Sequence, residues 1–255
     1  MRSRDPSAID AFSLKGKTIL ITVASSGIGA AVAKLCAQLG ARLVVNGRDN
    51  NRLSAILQGL EGEGHTAVIG DLTEVKTRQR LLEAADGYDG LVSCAGIAAL
   101  VPFRMASEKH LQQMLSVNYL APITLTQQLL YKRRLKGGAS LVFVSALSAR
   151  AAPLAAAGYA ASKAALEAAV RSLGLEQARH NIRANCIAPG YVETPMLHEL
   201  GTAANMDEKI GLTPLGKISP DDIAKGAVYL LSGSSRWITR TTLTIDGGIS
   251  LPIRL

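Results

Sequence analysis

The chain has 255 residues, 48% of them hydrophobic, and a formal net charge of +8 at neutral pH, enough material for one large domain or two small ones. No stretch approaches about eighteen apolar residues without a charge, which argues against a membrane span, and the opening MRSRDPSAIDAFSLKGK lacks the apolar core of a signal peptide. The three cysteines, Cys36, Cys94 and Cys186, form no CxxC pair and the four histidines have no metal-ligand spacing, so neither a disulfide framework nor a metal site is indicated and the cytoplasm is the expected compartment.

In chain order, TILITV, RLVVNG, TAVIGD, GLVSCA, SLVFVS, RANCIA and TLTID read as strands. Most are apolar on both parities, as strands covered on both faces should be. Between them lie GAAVAKLCAQLG, NRLSAILQGL, VKTRQRLLEAA, the long SEKHLQQMLSVNYLAPITLTQQLLYKRRL, GYAASKAALEAAVRSLGLEQARH and DDIAKGAVYLLSG. These have the i, i+3, i+4 apolar spacing of helices. The alternation predicts an α/β fold, a doubly wound parallel sheet of about seven strands with helices on both faces. No repeat, low-complexity tract or linker divides the chain, so residues 1–255 are read as a single dinucleotide-binding and catalytic domain. Residues 190–217 lack a strong strand signal and are long enough for a substrate lid.

A strand followed by ASSGIG and a helix gathers backbone N–H groups and the positive end of a helix at one point. Gly27 and Gly29 allow close backbone approach, and Ser25 and Ser26 can donate to phosphate. The second strand ends in Asn46-Gly47-Arg48, without the acid that usually meets the ribose 2′-hydroxyl of NAD. Arg48 can pair with a 2′-phosphate, so NADP is favoured and NAD is less expected. Asp71 fits either an acceptor for the adenine amino group or a cap for the next helix. The basic cluster YKRRLK, residues 131–136, has no interleaved aromatics. It reads first as a solvated helix end and second as a surface for an acidic acyl carrier. A nucleic-acid partner is not expected.

YAASK puts Tyr159 and Lys163 one helical turn apart on one face. A neighbouring ammonium and a cationic nicotinamide would lower the phenol from its usual value near ~10. Such a tyrosine can pass a proton to a ketone oxygen or take one from an alcohol.

Taken in order, TVASSGIG, SCAGI, SVNY, VSALSA, YAASK, APGYVET and IDGG resemble the short-chain dehydrogenase/reductase family, and within it the 3-oxoacyl-acyl-carrier-protein reductase-like members, from Leu14 to Gly248. The resemblance implies a Rossmann-type fold and a small-molecule carbonyl or alcohol substrate, free or linked to acyl carrier protein. It implies that Tyr159 is the general acid/base and that Lys163 lowers its pKa and holds the nicotinamide ribose. Asn118 would hold a proton-relay water. Pro189, Gly190 and Thr194 would pack on the nicotinamide and meet its carboxamide, with Ile28 near the same ring. Adenosine would lie across Ala95 and Gly96. A homodimer or homotetramer would form through the two long helices, 107–135 and 157–180.

Four positions depart from that pattern. Val23 replaces the leading glycine of the phosphate turn; a β-branched residue held at positive φ would be strained by about 1–3 kcal/mol, an expected charge on cofactor affinity. Ser93-Cys94 replaces an Asn-Asn pair, with Cys94 read as a packing residue rather than a reactive thiol. Thirteen residues before Tyr159, where the family places its substrate-positioning serine, stands Ala146. Ser145 takes that role if the following loop holds one extra residue; otherwise Ser148 takes it, or no serine does. Arg240 stands where a glycine commonly precedes the last strand.

Overall fold

The apolar runs become β1 (Thr18–Thr22), β2 (Arg42–Gly47), β3 (Thr66–Ile69), β4 (Tyr88–Ser93), β5 (Leu135–Val144), β6 (Arg183–Pro189) and β7 (Thr242–Ile245). The structure is a computed structural model that describes residues 10–200 and 210–250. Among these residues all strands join one sheet in the order β3-β2-β1-β4-β5-β6-β7, and every neighbouring pair is parallel. The expected doubly wound sheet is therefore the observed one.

Side chains alternate across the strands, and the alternation divides the core. Ile19, Ile21, Val92, Val142 and Ile187 face one layer, built with α1 (Gly27–Gln38), α2 (Asn50–Gln58) and the last long helix. Leu20, Leu91, Leu141, Phe143 and Cys186 face the other. That second layer holds α3 (Val75–Glu83), α5 (Ala121–Tyr131) and α6 (Ala157–Gln177). Two further helices, α4 (Glu108–Leu115) and α7 (Pro195–Glu199), lie at the loop end of the sheet, and α8 (Pro220–Leu231) closes the first layer.

One expected helix is interrupted. The apolar spacing runs unbroken from 107 to 135, yet α4 passes through a π turn, Ser116–Leu120, before α5 begins. Pro122 stands four residues after Asn118. It has no N–H to give the Asn118 carbonyl, and its ring would crowd that carbonyl in an α-helix. The wider turn relieves both problems. The same helix ends earlier than expected, at Tyr131, because Arg133 takes φ +53°. Half of the basic cluster then serves the β4–β5 edge: Arg134 donates to the Asp86 carbonyl at 3.3 Å and Lys136 pairs with Asp89 at 2.8 Å.

Candidate active site

The chain leaves β1 for β2 and β3, then returns to place β4 on the other side of β1. A crevice opens at the carboxyl ends of the strands where the direction of winding changes. Beyond β1, the turn 23–26 leads into α1. Its N-cap residue, Ser26, is extended (φ −165°) and its side chain makes no capping bond, and no acid lies in the first turn. The helix therefore presents unpaired donors and positive potential at the crevice. A Cβ on Gly29 would lie 2.2 Å from the Val23 carbonyl oxygen, so only glycine fits where the turn folds back on the helix. Val23 holds φ +54°. The strain expected of it is present, and it belongs to the fold itself.

At the end of β2, Asn46 is buried and its amide donates to the carbonyls of Val68 (2.9 Å) and Gly70 (3.1 Å). The position that could have carried an NAD-selecting acid is thus a clip between β2 and β3. Arg48 is exposed, with its guanidinium 3.7 Å from Asp71. Asp71 accepts from the Thr73 N–H and hydroxyl, and α3 takes Glu74 as its N-cap. The carboxylate thus caps its own turn rather than the helix. Burial works against its charge, but the Thr73 bonds and Arg48 outweigh this and hold its pKa below the usual value.

Across the crevice, Lys163 is buried and donates to the carbonyls of Val144 (2.7 Å) and Ala95 (3.4 Å), at the ends of β5 and β4. A Cβ on Gly96 would lie 3.2 Å from its Nζ, so the chain narrows there to admit the ammonium. Desolvation lowers Lys163 to about 8. Tyr159 lies half-buried one turn earlier on α6. Burial pushes its phenol up to about 12: desolvation dominates, while the Lys163 ammonium is turned to main-chain carbonyls. The expected lowering concerns the state with a cationic nicotinamide beside it.

Asn118, within the π turn, has no exposure. Its amide donates to the Ile97 carbonyl (3.0 Å) and to the Ser162 hydroxyl (2.9 Å), while its oxygen accepts from the Ile97 N–H (2.8 Å). Ser162 passes the contact to the Tyr159 carbonyl at 2.7 Å. This side chain is fully spent on fixing the loop after β4 against α6. Ser162 was not singled out in the sequence; its place between Tyr159 and Lys163 was the available signal.

Ser145 has a partner within the core. Its hydroxyl donates to Glu167 at 2.9 Å, and the carboxylate also meets Arg150 at 3.4 Å and Arg171 at 3.9 Å. Ser145 belongs to a buried knot that ties β5 to α6. Ala146, at the expected spacing, is buried and has no hydroxyl. Ser148, on the 3-10 turn Leu147–Ala149, is half-buried and makes no hydrogen bond among the described residues.

β6 ends at Pro189, and the Gly190 N–H donates to Ile245 at 3.0 Å. Thr194 caps α7. Its Cγ2 would lie 3.2 Å from a Cβ placed on Gly27, so the base of the expected lid touches the phosphate turn. Residues 201–209 of that lid lie outside the described residues. Ile28 is half-buried against the first core layer, and Ser25 sits beside Gly47. Cys94 packs against the same layer, and burial pushes its thiol up to about 12, as a packing residue requires. Among the described residues no group of acids, histidines and cysteines could hold a metal ion, and no helix is long and apolar enough to cross a membrane.

An uncapped glycine-bearing helix start after β1 and a Tyr-Lys pair whose lysine is bonded at the ends of β4 and β5 lie at the switch point of one parallel sheet, which places the chain among oxidoreductases built on a doubly wound sheet. A family model described as enoyl-(acyl carrier protein) reductase matches residues 23–250. An uncharacterized oxidoreductase of Methylorubrum extorquens is 32% identical over 92% of this chain and 98% of its own. The 3-oxoacyl-[acyl-carrier-protein] reductase of Rickettsia prowazekii is 29% identical, with the same coverage. A solved chain from Beutenbergia cavernae, described as a candidate NAD(P)-dependent gluconate 5-dehydrogenase with NADP at low occupancy, is 30% identical with a TM-score of 0.84, covering 94% of this chain and 98% of that one. The chain belongs to the short-chain dehydrogenase/reductase family of oxidoreductase enzymes.

Proposed function

We propose that the protein is an NADP(H)-dependent oxidoreductase that interconverts a ketone and a secondary alcohol, with Tyr159 as general acid/base. The crevice fits the dinucleotide on its own chemistry. The start of α1 has free donors and no acid, and the glycines at 29 and 96 let the turn fold back on the helix and let Lys163 reach the crevice. Ser25, Ser26 and Gly27 would hold the pyrophosphate, Arg48 the 2′-phosphate and Asp71 the adenine amine. Ala95 and Gly96 would lie under the adenosine. Lys163 would hold the nicotinamide ribose, with Ile28, Pro189, Gly190 and Thr194 around the ring. When bound, the reduced cofactor would supply a hydride to the carbonyl carbon, leaving NADP⁺ and, with one added proton, the alcohol.

The chain's own part is to deliver that proton. A phenol kept neutral by burial is a competent donor, and the Lys163 ammonium one turn away would stabilise the phenolate left when its proton goes to the carbonyl oxygen. Asn118 would act by fixing the loop that carries Ala95, Gly96 and Ile97. Ser148 is the hydroxyl left to orient the carbonyl oxygen. The observation that carries this reading is Lys163 bonded to the ends of β4 and β5 with Tyr159 one turn away on the same helix. Exposed Tyr131 and Leu175 on α5 and α6 support a homodimer or homotetramer through those helices, and Lys132 and Arg133 beside them would suit an acyl-carrier-linked substrate. The relatives' described substrates span an acyl-carrier thioester and gluconate.

Tyr159→Phe tests the reading. NADPH oxidation by ketones should fall about 10²–10⁴-fold, with NADPH affinity measured by fluorescence unchanged. Full turnover in that variant would refute the assignment. A catalytically weak dinucleotide-binding protein of the same fold is the second reading; the loss of Ser145 to Glu167 favours it, and it predicts no ketone turnover despite tight NADPH binding.

A further inference from the structure

The two loops that flank Tyr159 carry almost nothing polar. The loop after β4, residues 94–102, reads CAGIAALVP, without a charge, hydroxyl or amide. The loop after β5, residues 146–157, reads ALSARAAPLAAA, with polar side chains only at Ser148 and Arg150. Arg150 turns its Nε to Glu167 at 3.4 Å. Ser148 is therefore the one uncommitted polar side chain in either loop.

The two loops form one wall. The Val101 N–H donates to the Ala155 carbonyl at 2.7 Å. Leu154, at 95% exposure, and Leu100 extend that wall outward. In the segment that precedes the last long helix, Leu215, anchored by its N–H to the Gly247 carbonyl, is 86% exposed. Leu212 is exposed beside it. At the lid base Thr194 caps α7, and Tyr191 and Glu193 lie just before it.

We infer that the substrate is an apolar ketone, alkyl, alicyclic or aryl on both sides of its reacting carbon, and not a polyhydroxylated one. This rests on the oxidoreductase reading above and narrows it. Ser148 can meet the carbonyl oxygen, but a sugar acid brings several further hydroxyls to two loops, 94–102 and 146–157, that offer them no other uncommitted side chain. A hydroxyl stripped of water and left unpaired lowers binding by about ten- to hundredfold. Apolar substituents gain from the same wall because each covers leucine and alanine surface.

The test compares 2-decalone and acetophenone with 5-keto-gluconate and dihydroxyacetone, using the full chain and NADPH. Apolar ketones should have kcat/KM at least about a hundredfold above the polar ones; equal or reversed preference overturns the inference. Ligand-observed NMR on the NADP⁺-loaded protein separates this result from failure of the proposed chemistry. Saturation transfer to 2-decalone but not to 5-keto-gluconate, with no turnover of either, supports the apolar site and defeats the reaction. Transfer to 5-keto-gluconate alone, or to neither, overturns the inference. Leu154→Asn, at a solvent-facing position that does not threaten folding, should raise the KM for 2-decalone about three- to tenfold and leave Tm unchanged; an unchanged KM counts against the proposal.

Discussion

The two halves of the crevice treat their polar groups in opposite ways. At the ends of β1 and β2, the α1 donors are uncapped and Arg48 reaches solvent with one long contact to Asp71. At the ends of β4 and β5, Asn118, Ser145, Ser162 and Lys163 are all hydrogen-bonded within the protein. Open polar groups suit the half that must meet a charged, hydrated dinucleotide. Spent ones are scaffolding, which aims a single phenol and leaves the remaining surface apolar. A protein can thus bind one polar and one apolar molecule side by side without either half compromising the other.

The sharpest way to break the comparison is to remove the one loop hydroxyl not already committed. Ser148→Ala should lower kcat about 10²–10³-fold, the cost of losing a donor aimed at a developing oxyanion; steady-state kinetics with a saturating ketone would report it. Ser145→Ala should instead act on Tm, because its partner is Glu167.

Lys163 gives a comparison in stability. Its folded pKa, about 8, lies below the unfolded 10.5. The unfolded chain therefore binds more protons between those values, and stability should rise with pH across that window. Below about pH 8 the burial penalty is present in full, up to about 3 kcal/mol. Thermal melts of wild type and Lys163→Met from pH 7 to 10 should converge toward high pH if the ammonium is disfavoured; parallel curves would contradict it.

On the open half, Arg48→Gln should weaken NADPH by about ten- to hundredfold and leave NADH nearly untouched, as loss of a charge-assisted pair would. Equal loss for both cofactors would remove Arg48 from the 2′-phosphate. The smallest effect is expected at Val23. Relief of its positive φ, φ +54°, by Val23→Gly should raise Tm by about 2–6 °C, after subtracting the entropy that glycine costs.

The sheet was legible because each strand is a short apolar run bounded by turn residues, and buried strands of a parallel sheet read that way on both faces. The Tyr159–Lys163 pair stood out through its place in the ordered run of motifs, because its spacing alone is common on helix surfaces. The break at Asn118 was not, because apolar periodicity continues through it; the warning was Pro122, four residues on. The direction of Ser145 was not legible, because a hydroxyl near the right place is no guide to where it points. Its direction is set by Glu167, a carboxylate on a buried helix face that sequence spacing does not connect to β5. At Tyr159, i, i+4 spacing likewise places Lys163 nearby but does not say that its ammonium is already bonded to Val144 and Ala95.

The bond from Val101 to Ala155 holds Ala155 in a left-handed conformation (φ +62°). It makes two segments, distant in sequence, behave as a single part. Substitutions placed separately in either segment should not add when combined. Anyone re-engineering the selectivity of this enzyme will have to vary both together, and paired libraries should reach variants that stepwise changes miss.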